Sequence, residues 1–83
     1  MNKPFYYLYN LDYLELLKFI KNEKPLTIAI VLSYMKPNIV ASILNKLNDQ
    51  LKFKTIILFS NLKNISSNKV NNISSLLYLK YQI

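Results

Sequence analysis

Apolar positions along the chain recur at helical spacing, in stretches separated by polar and proline-bearing breaks. Tyr13, Leu16, Leu17 and Ile20 fall at i, i+3, i+4 and i+7, while Glu15, Lys18 and Asn22 take the other side, which is the stripe of an amphipathic helix. Asp12 precedes that stripe with Glu15 three positions on, the spacing of a reciprocal capping box, and Leu11 stands where it can staple onto Leu16. Pro25 to Met35 is apolar throughout except for Thr27 and Ser33. Its β-branched content and its length would suit a buried strand as well as a helix. Proline at a first helical position and the helical neighbours point to a helix buried on nearly every side.

Pro37 starts a third helix in the same way. There Ile39, Val40, Ile43, Leu44 and Leu47 form one stripe, opposite Asn38, Ser42, Asn45 and Lys46. Asn48 is placed to cap a fourth helix, with Asp49 near its positive end. Leu51, Thr55, Leu58 and Leu62 make one row of it, and Phe53, Ile56, Ile57 and Phe59 are expected to widen that row. Ser66 caps a fifth, with Val70, Ile73, Leu76 and Leu77 as its apolar face. The breaks at Asn22–Pro25, Lys36–Pro37, Asn48–Asp49 and Asn64–Ser67 leave no long linker. The pattern therefore predicts an all-α chain of five short helices, a helical array or helical-repeat unit whose open apolar face is a partner site. No C-cap signal precedes Ile83, so the last helix is expected to continue in a longer parent protein.

Composition narrows the chemistry. The 83 residues contain no glycine, cysteine, histidine or tryptophan. Zinc fingers, Cys–His and Ser–His nucleophile pairs and c-type haem attachment are excluded by residue type. P-loops, Rossmann fingerprints and nucleophile elbows are excluded by the missing glycines. Asp12, Glu15, Glu23 and Asp49 are the only acidic side chains, too few for a dedicated calcium or magnesium site. Cap spacing explains Asp12 and Glu15 better than an acid–base pair does. No enzyme activity and no cofactor are expected.

The net charge is +7, and all eleven cations are lysine. They are spread from Lys3 to Lys80, without the arginine forks that read guanine. A solvated basic surface is the expectation, with no nucleic acid as partner. The apolar run from Pro25 to Met35 is far short of the roughly 20 residues of a spanning helix. The first residues lack a small-residue cleavage site. A cytosolic protein, or one at the cytosolic face of a membrane, is expected.

From Phe5 onward the order of residues resembles the middle domain of the FliG family of flagellar motor-switch proteins. Phe5, Tyr7, Leu8, Asp12, Leu16, Leu17 and Ile20 lead into Asn22-Glu23-Lys24-Pro25-Leu26-Thr27-Ile28-Ala29, where the family has Asn-Glu-His-Pro-Gln-Thr-Ile-Ala. Leu32-Ser33-Tyr34-Met35-Lys36-Pro37 follows in register, then Ala41, Ile43-Leu44, Leu47 and Ile65-Ser66. The resemblance implies an armadillo-like right-handed superhelical array forming one module over 1–83. Residues 1–10 would be an aromatic lead and 67–83 the start of a linker helix.

In the family this domain lies between an amino-terminal part that anchors to the ring protein FliF and a carboxy-terminal torque-generating part. The resemblance therefore implies a middle module, with FliF engaged only through parts absent from this chain. It implies binding to a FliM-like switch protein and stacking on neighbouring FliG subunits in a ring, to support rotor assembly and switching of rotation. The place would be the flagellar basal body, at the cytoplasmic face of the inner membrane, with only peripheral contact to that membrane.

The implied partner-binding residues are Glu23, Lys24, Pro25, Leu26 and Leu58. Of these, Glu23 and Pro25 keep the family motif. Lys24 replaces its histidine, Leu26 its glutamine, and Leu58 stands in place of a distant arginine. Losing the amide and the guanidinium removes directed hydrogen bonds, and the two leucines imply a drier contact.

Structural readings stand beside these. Glu23 just before a proline-started helix gains from the helix dipole. The aromatic lead of Phe5, Tyr6, Tyr7 and Tyr9 is expected to pack on the core and at interfaces, in preference to stacking on bases. The competing functions are a small basic helical nucleic-acid binder and a non-functional remnant of the motor-switch protein. Salt separates the first of these from a protein-binding module, because phosphate-driven binding weakens steeply as salt rises.

Overall fold

Local signals set the helix boundaries, and buried leucine, isoleucine and valine set the packing. The computed structural model describes residues 3–82. Among them are α1 (Tyr13–Ile20), α2 (Pro25–Leu32), α3 (Pro37–Lys46), α4 (Asp49–Ser60) and α5 (Ser67–Tyr81), with short 3-10 turns at Tyr6–Leu8 and Leu62–Asn64. No strand occurs among the described residues. The array is all-α and armadillo-like, as expected.

The predicted caps form. The Glu15 amide donates to Asp12 Oδ1 at 2.8 Å, and the Asp12 amide donates back to Glu15 Oε1 at 3.3 Å. The Leu51 amide donates to Asn48 Oδ1 at 2.9 Å and the Lys69 amide to Ser66 Oγ at 3.1 Å. Each satisfies an amide that the first turn leaves without an intrahelical partner. Helices α2 and α3 carry no side-chain cap and start on Pro25 and Pro37 instead, where the missing N–H removes one such orphan.

The ambiguous second segment is a helix, and Ile28, Ala29, Ile30, Val31 and Leu32 are all buried in it. It packs chiefly against α4, while α1 packs against α3. Leu16 and Ile20 of α1, Ile43 and Leu47 around α3, and Val70 and Leu77 of α5 complete the core with Phe5 and Leu8 of the lead.

Two expectations are corrected. Phe53, Ile56, Ile57 and Phe59 do not widen the buried row of α4; all are exposed, Phe53 by 67%. Apolar side chains of that helix are scattered among Lys52, Lys54 and Ser60 on more than one side, and it packs chiefly against α2 alone. Leu76 is 66% exposed, and Ser74 is buried on α5 in its place. The aromatic lead is split: Phe5 is fully buried and Tyr7 half-buried, whereas Tyr6 and Tyr9 are exposed.

Thr55 sits in the buried row of α4 with no exposure, and its hydroxyl has no hydrogen-bond partner. A buried hydroxyl without a partner costs stability, and an apolar group of the same shape does not. Thr55→Val is therefore expected to stabilise the chain by about 1 kcal/mol, read as a higher urea midpoint. A lower midpoint would mean that the hydroxyl is satisfied in solution.

Candidate partner-binding surface

The five residues implied by resemblance lie on two elements. Lys24, Pro25 and Leu26 form the start of α2: Lys24 is the exposed N-cap, Pro25 the first helical residue, and Leu26 a half-buried residue against the core. Leu58 is half-buried in the last turns of α4. Glu23, in the α1–α2 turn, faces α5. Its side chain is only 12% exposed, and Lys80 Nζ, on a side chain 60% exposed, lies 2.9 Å from its Oε2. The Tyr81 hydroxyl donates to the same oxygen at 2.5 Å. The Tyr81 ring is fixed in turn against Phe19 of α1, edge-on with centroids 5.3 Å apart.

Glu23 stands just before the N-cap of α2 but gives that helix no side-chain cap hydrogen bond. The carboxylate neither caps α2 nor pairs with its neighbour Lys24; its cation is Lys80. Nothing local in the sequence announces this, because Lys80 and Tyr81 lie 57 and 58 positions away. The local signal points elsewhere, because Glu23, like Asp12, Glu15 and Asp49, stands at a helix start.

The electrostatics of this cluster are coupled. Burial alone would push the Glu23 carboxyl up, but the hydrogen bonds from Tyr81 and Lys80 outweigh it and hold the group below its ordinary value of 4.5. The same hydrogen bonds push Lys80 and Tyr81 upward. A depressed carboxyl contributes stability that is complete above its unfolded value and lost as pH falls through the folded one. A raised tyrosine contributes below its ordinary value of 10.0 and loses that contribution as pH rises through the folded value. Docking of the last turn of α5 is expected to hold between these limits and to loosen outside them. Amide exchange in 76–82, corrected for intrinsic rates, should show this window in the wild type and not in Glu23→Gln. A flat profile in the wild type would contradict it.

Two clefts flank the cluster. One of about 330 Å³ is lined by Lys18, Phe19, Lys80, Tyr81 and Gln82. A smaller one of about 180 Å³ is lined by Glu23, Thr27, Ile73, Leu76, Leu77 and Lys80. A larger groove of about 510 Å³ runs between the lead and the α2–α3 turn, where Leu8, Tyr9, Tyr34 and Met35 line it. Among the described residues, no group of three or more acidic, histidine or cysteine side chains is placed to hold a metal ion. No helix there is long and apolar enough to cross a membrane.

What the geometry offers is surfaces: a proline-led helix start, a bare apolar side of α4, and an acidic residue held by donors from α5. These belong to a small all-helical module. The family model of the FliG middle domain matches residues 14–82, and the chain belongs to that family. Over 54 residues it is 39% identical to the flagellar motor switch protein FliG of Thermotoga maritima, a match covering 65% of this chain and 16% of that relative. The chain thus matches only a small part of the relative's length. No solved structure matches it.

Proposed function

We propose that this chain is a protein-binding module of the bacterial flagellar motor switch, acting at the basal body on the cytoplasmic face of the inner membrane. Family membership over residues 14–82 carries the reading. In it, 1–83 forms one module, and α5 begins a helix leading to a further domain. The start of α2, with Glu23, Lys24, Pro25 and Leu26, and Leu58 of α4 contact a FliM-like protein. The exposed side of α4, with Phe53, Ile56, Ile57 and Phe59, stacks on a neighbouring FliG subunit. The module works by presenting these faces, and no reaction is assigned to it. Burial of such apolar area, about 25 cal/mol per Å², is the driving term.

The test is a calorimetric titration of the full chain with the FliM middle domain from the same source, at low and high salt. A Glu23→Ala, Pro25→Ala variant is the control. Saturable binding that survives salt and weakens in the control supports the contact. Binding to nucleic acid that collapses with salt, with none to FliM, would favour the basic nucleic-acid reading instead. A folded chain that binds neither would overturn the FliM contact.

A further inference from the structure

The partner contact proposed for Glu23 conflicts with where the structure puts that side chain. An ionised carboxylate only accepts hydrogen bonds, and two donors from α5 already converge on one of its oxygens. Lys80 Nζ is 2.9 Å away and the Tyr81 hydroxyl 2.5 Å. What remains exposed is 12% of the side chain. Lys24, Pro25 and Leu26 are open to a partner to different degrees, but the acidic member of the set is covered.

The covering turn is lightly attached. It is the last turn of α5, Lys80 is mostly exposed, and clefts lie on both sides of it. Beyond the two bonds to Glu23, the half-buried Tyr81 ring packs against the margin of the core and meets Phe19 edge-on, while Lys80 makes its contact within the turn, 5.5 Å from the Tyr81 ring centroid. Leu77, one turn earlier, and Ser74, two turns earlier, are buried, so opening can be confined to the turn that carries Lys80 and Tyr81.

We infer that the last turn of α5 is an intramolecular competitor for the Glu23 carboxylate: Lys80 and Tyr81 supply the donors that a partner's cationic or amide group must displace, so partner engagement and docking of that turn exclude each other. This rests on Glu23 being a partner contact. The occupant that fits brings an ammonium, guanidinium or amide donor to Glu23 beside an apolar group that can replace Tyr81 on Phe19. Closure of the turn lowers apparent affinity by the fraction of molecules that are open.

The experiment has a partner-free arm and a partner arm, both on the full chain with helicity verified by circular dichroism. Without partner, Glu23→Gln and the double variant Lys80→Met, Tyr81→Phe should each speed deuterium uptake in 76–82 several-fold. Unchanged uptake in both would overturn the competitor, whatever the partner does. In titrations with the FliM middle domain, the double variant keeps Glu23 free and should bind about three- to tenfold tighter than wild type, while Glu23→Gln binds more weakly. Binding by the double variant alone would support the inference in its strong form. An unchanged or weaker double variant beside a weakened Glu23→Gln would keep Glu23 as a contact and refute the competition. A silent Glu23→Gln, or no binding by any variant, would remove the contact reading and this inference with it. Adding partner to the wild type should raise uptake in 76–82; protection there would place the turn inside the interface and overturn exclusion.

Discussion

Replacing Phe5 with alanine is expected to cost about 3–5 kcal/mol, the range for emptying the site of a buried aromatic ring. A chain of 83 residues has a total stability on the order of 4–12 kcal/mol, so the variant should be near the edge of folding. Phe5 has no exposed surface and tilts against Tyr34 at 5.6 Å between ring centroids. Its backbone is left-handed, φ 60° and ψ 21°, a conformation costing a non-glycine residue roughly 1–2 kcal/mol. Ser74 holds it there. Ser74 Oγ accepts from the Phe5 amide at 2.8 Å, and the Ser74 carbonyl accepts from the Tyr7 hydroxyl at 2.7 Å. Ser74→Ala should therefore cost about 1–3 kcal/mol, because it leaves the buried Phe5 amide without an acceptor. Urea unfolding followed by circular dichroism measures both. A midpoint unchanged in Phe5→Ala, with faster exchange confined to 3–11, would show that the lead frays alone and is no part of the cooperative core.

That pair of residues also shows where sequence reasoning stops. Each helix start was legible because its signal lies within four residues of the boundary: the Asp12–Glu15 box, Asn48, Ser66, and the prolines at 25 and 37. The class followed from five such segments. The core faces were legible only where polar residues mark the opposite side, as on α1 and α3. On α4, Phe53, Ile56, Ile57 and Phe59 look identical in sequence to buried residues, and only the number of neighbouring helices decides that they stay exposed. On α5, Ser74 is buried while Leu76 is not, because Ser74 shares the face of Val70 and Leu77 and its hydroxyl finds the Phe5 amide there. The candidate site divides the same way. Pro25 as a helix starter is a local fact. The capture of Glu23 by Lys80 and Tyr81 spans nearly the whole chain and leaves no trace in spacing.

Helix α2 provides the sharpest contrast between local preference and packing. Alanine is the best helix former, better than isoleucine by a few tenths of a kcal/mol. Propensity alone therefore predicts that Ile30→Ala strengthens the helix. Ile30 is 1% exposed in a helix whose neighbours on the chain are buried as well. Removing three of its carbons forfeits burial and leaves a void that close-packed surroundings fill only in part. The expected net result is a loss of about 2–4 kcal/mol. The same change on the open side of α4, Ile57→Ala, removes a side chain that is 45% exposed and should fall within about 0.5 kcal/mol of neutral. Both are read from urea midpoints at low protein concentration, where association through α4 does not contribute. Equal losses at the two positions would mean that the α4 side is covered in solution. A near-neutral Ile30→Ala would mean that α2 is held by its own backbone. An isolated helix of eight residues is too short for that in water, so the burial of Ile28 to Leu32 is what keeps this segment from the strand that its sequence would equally allow.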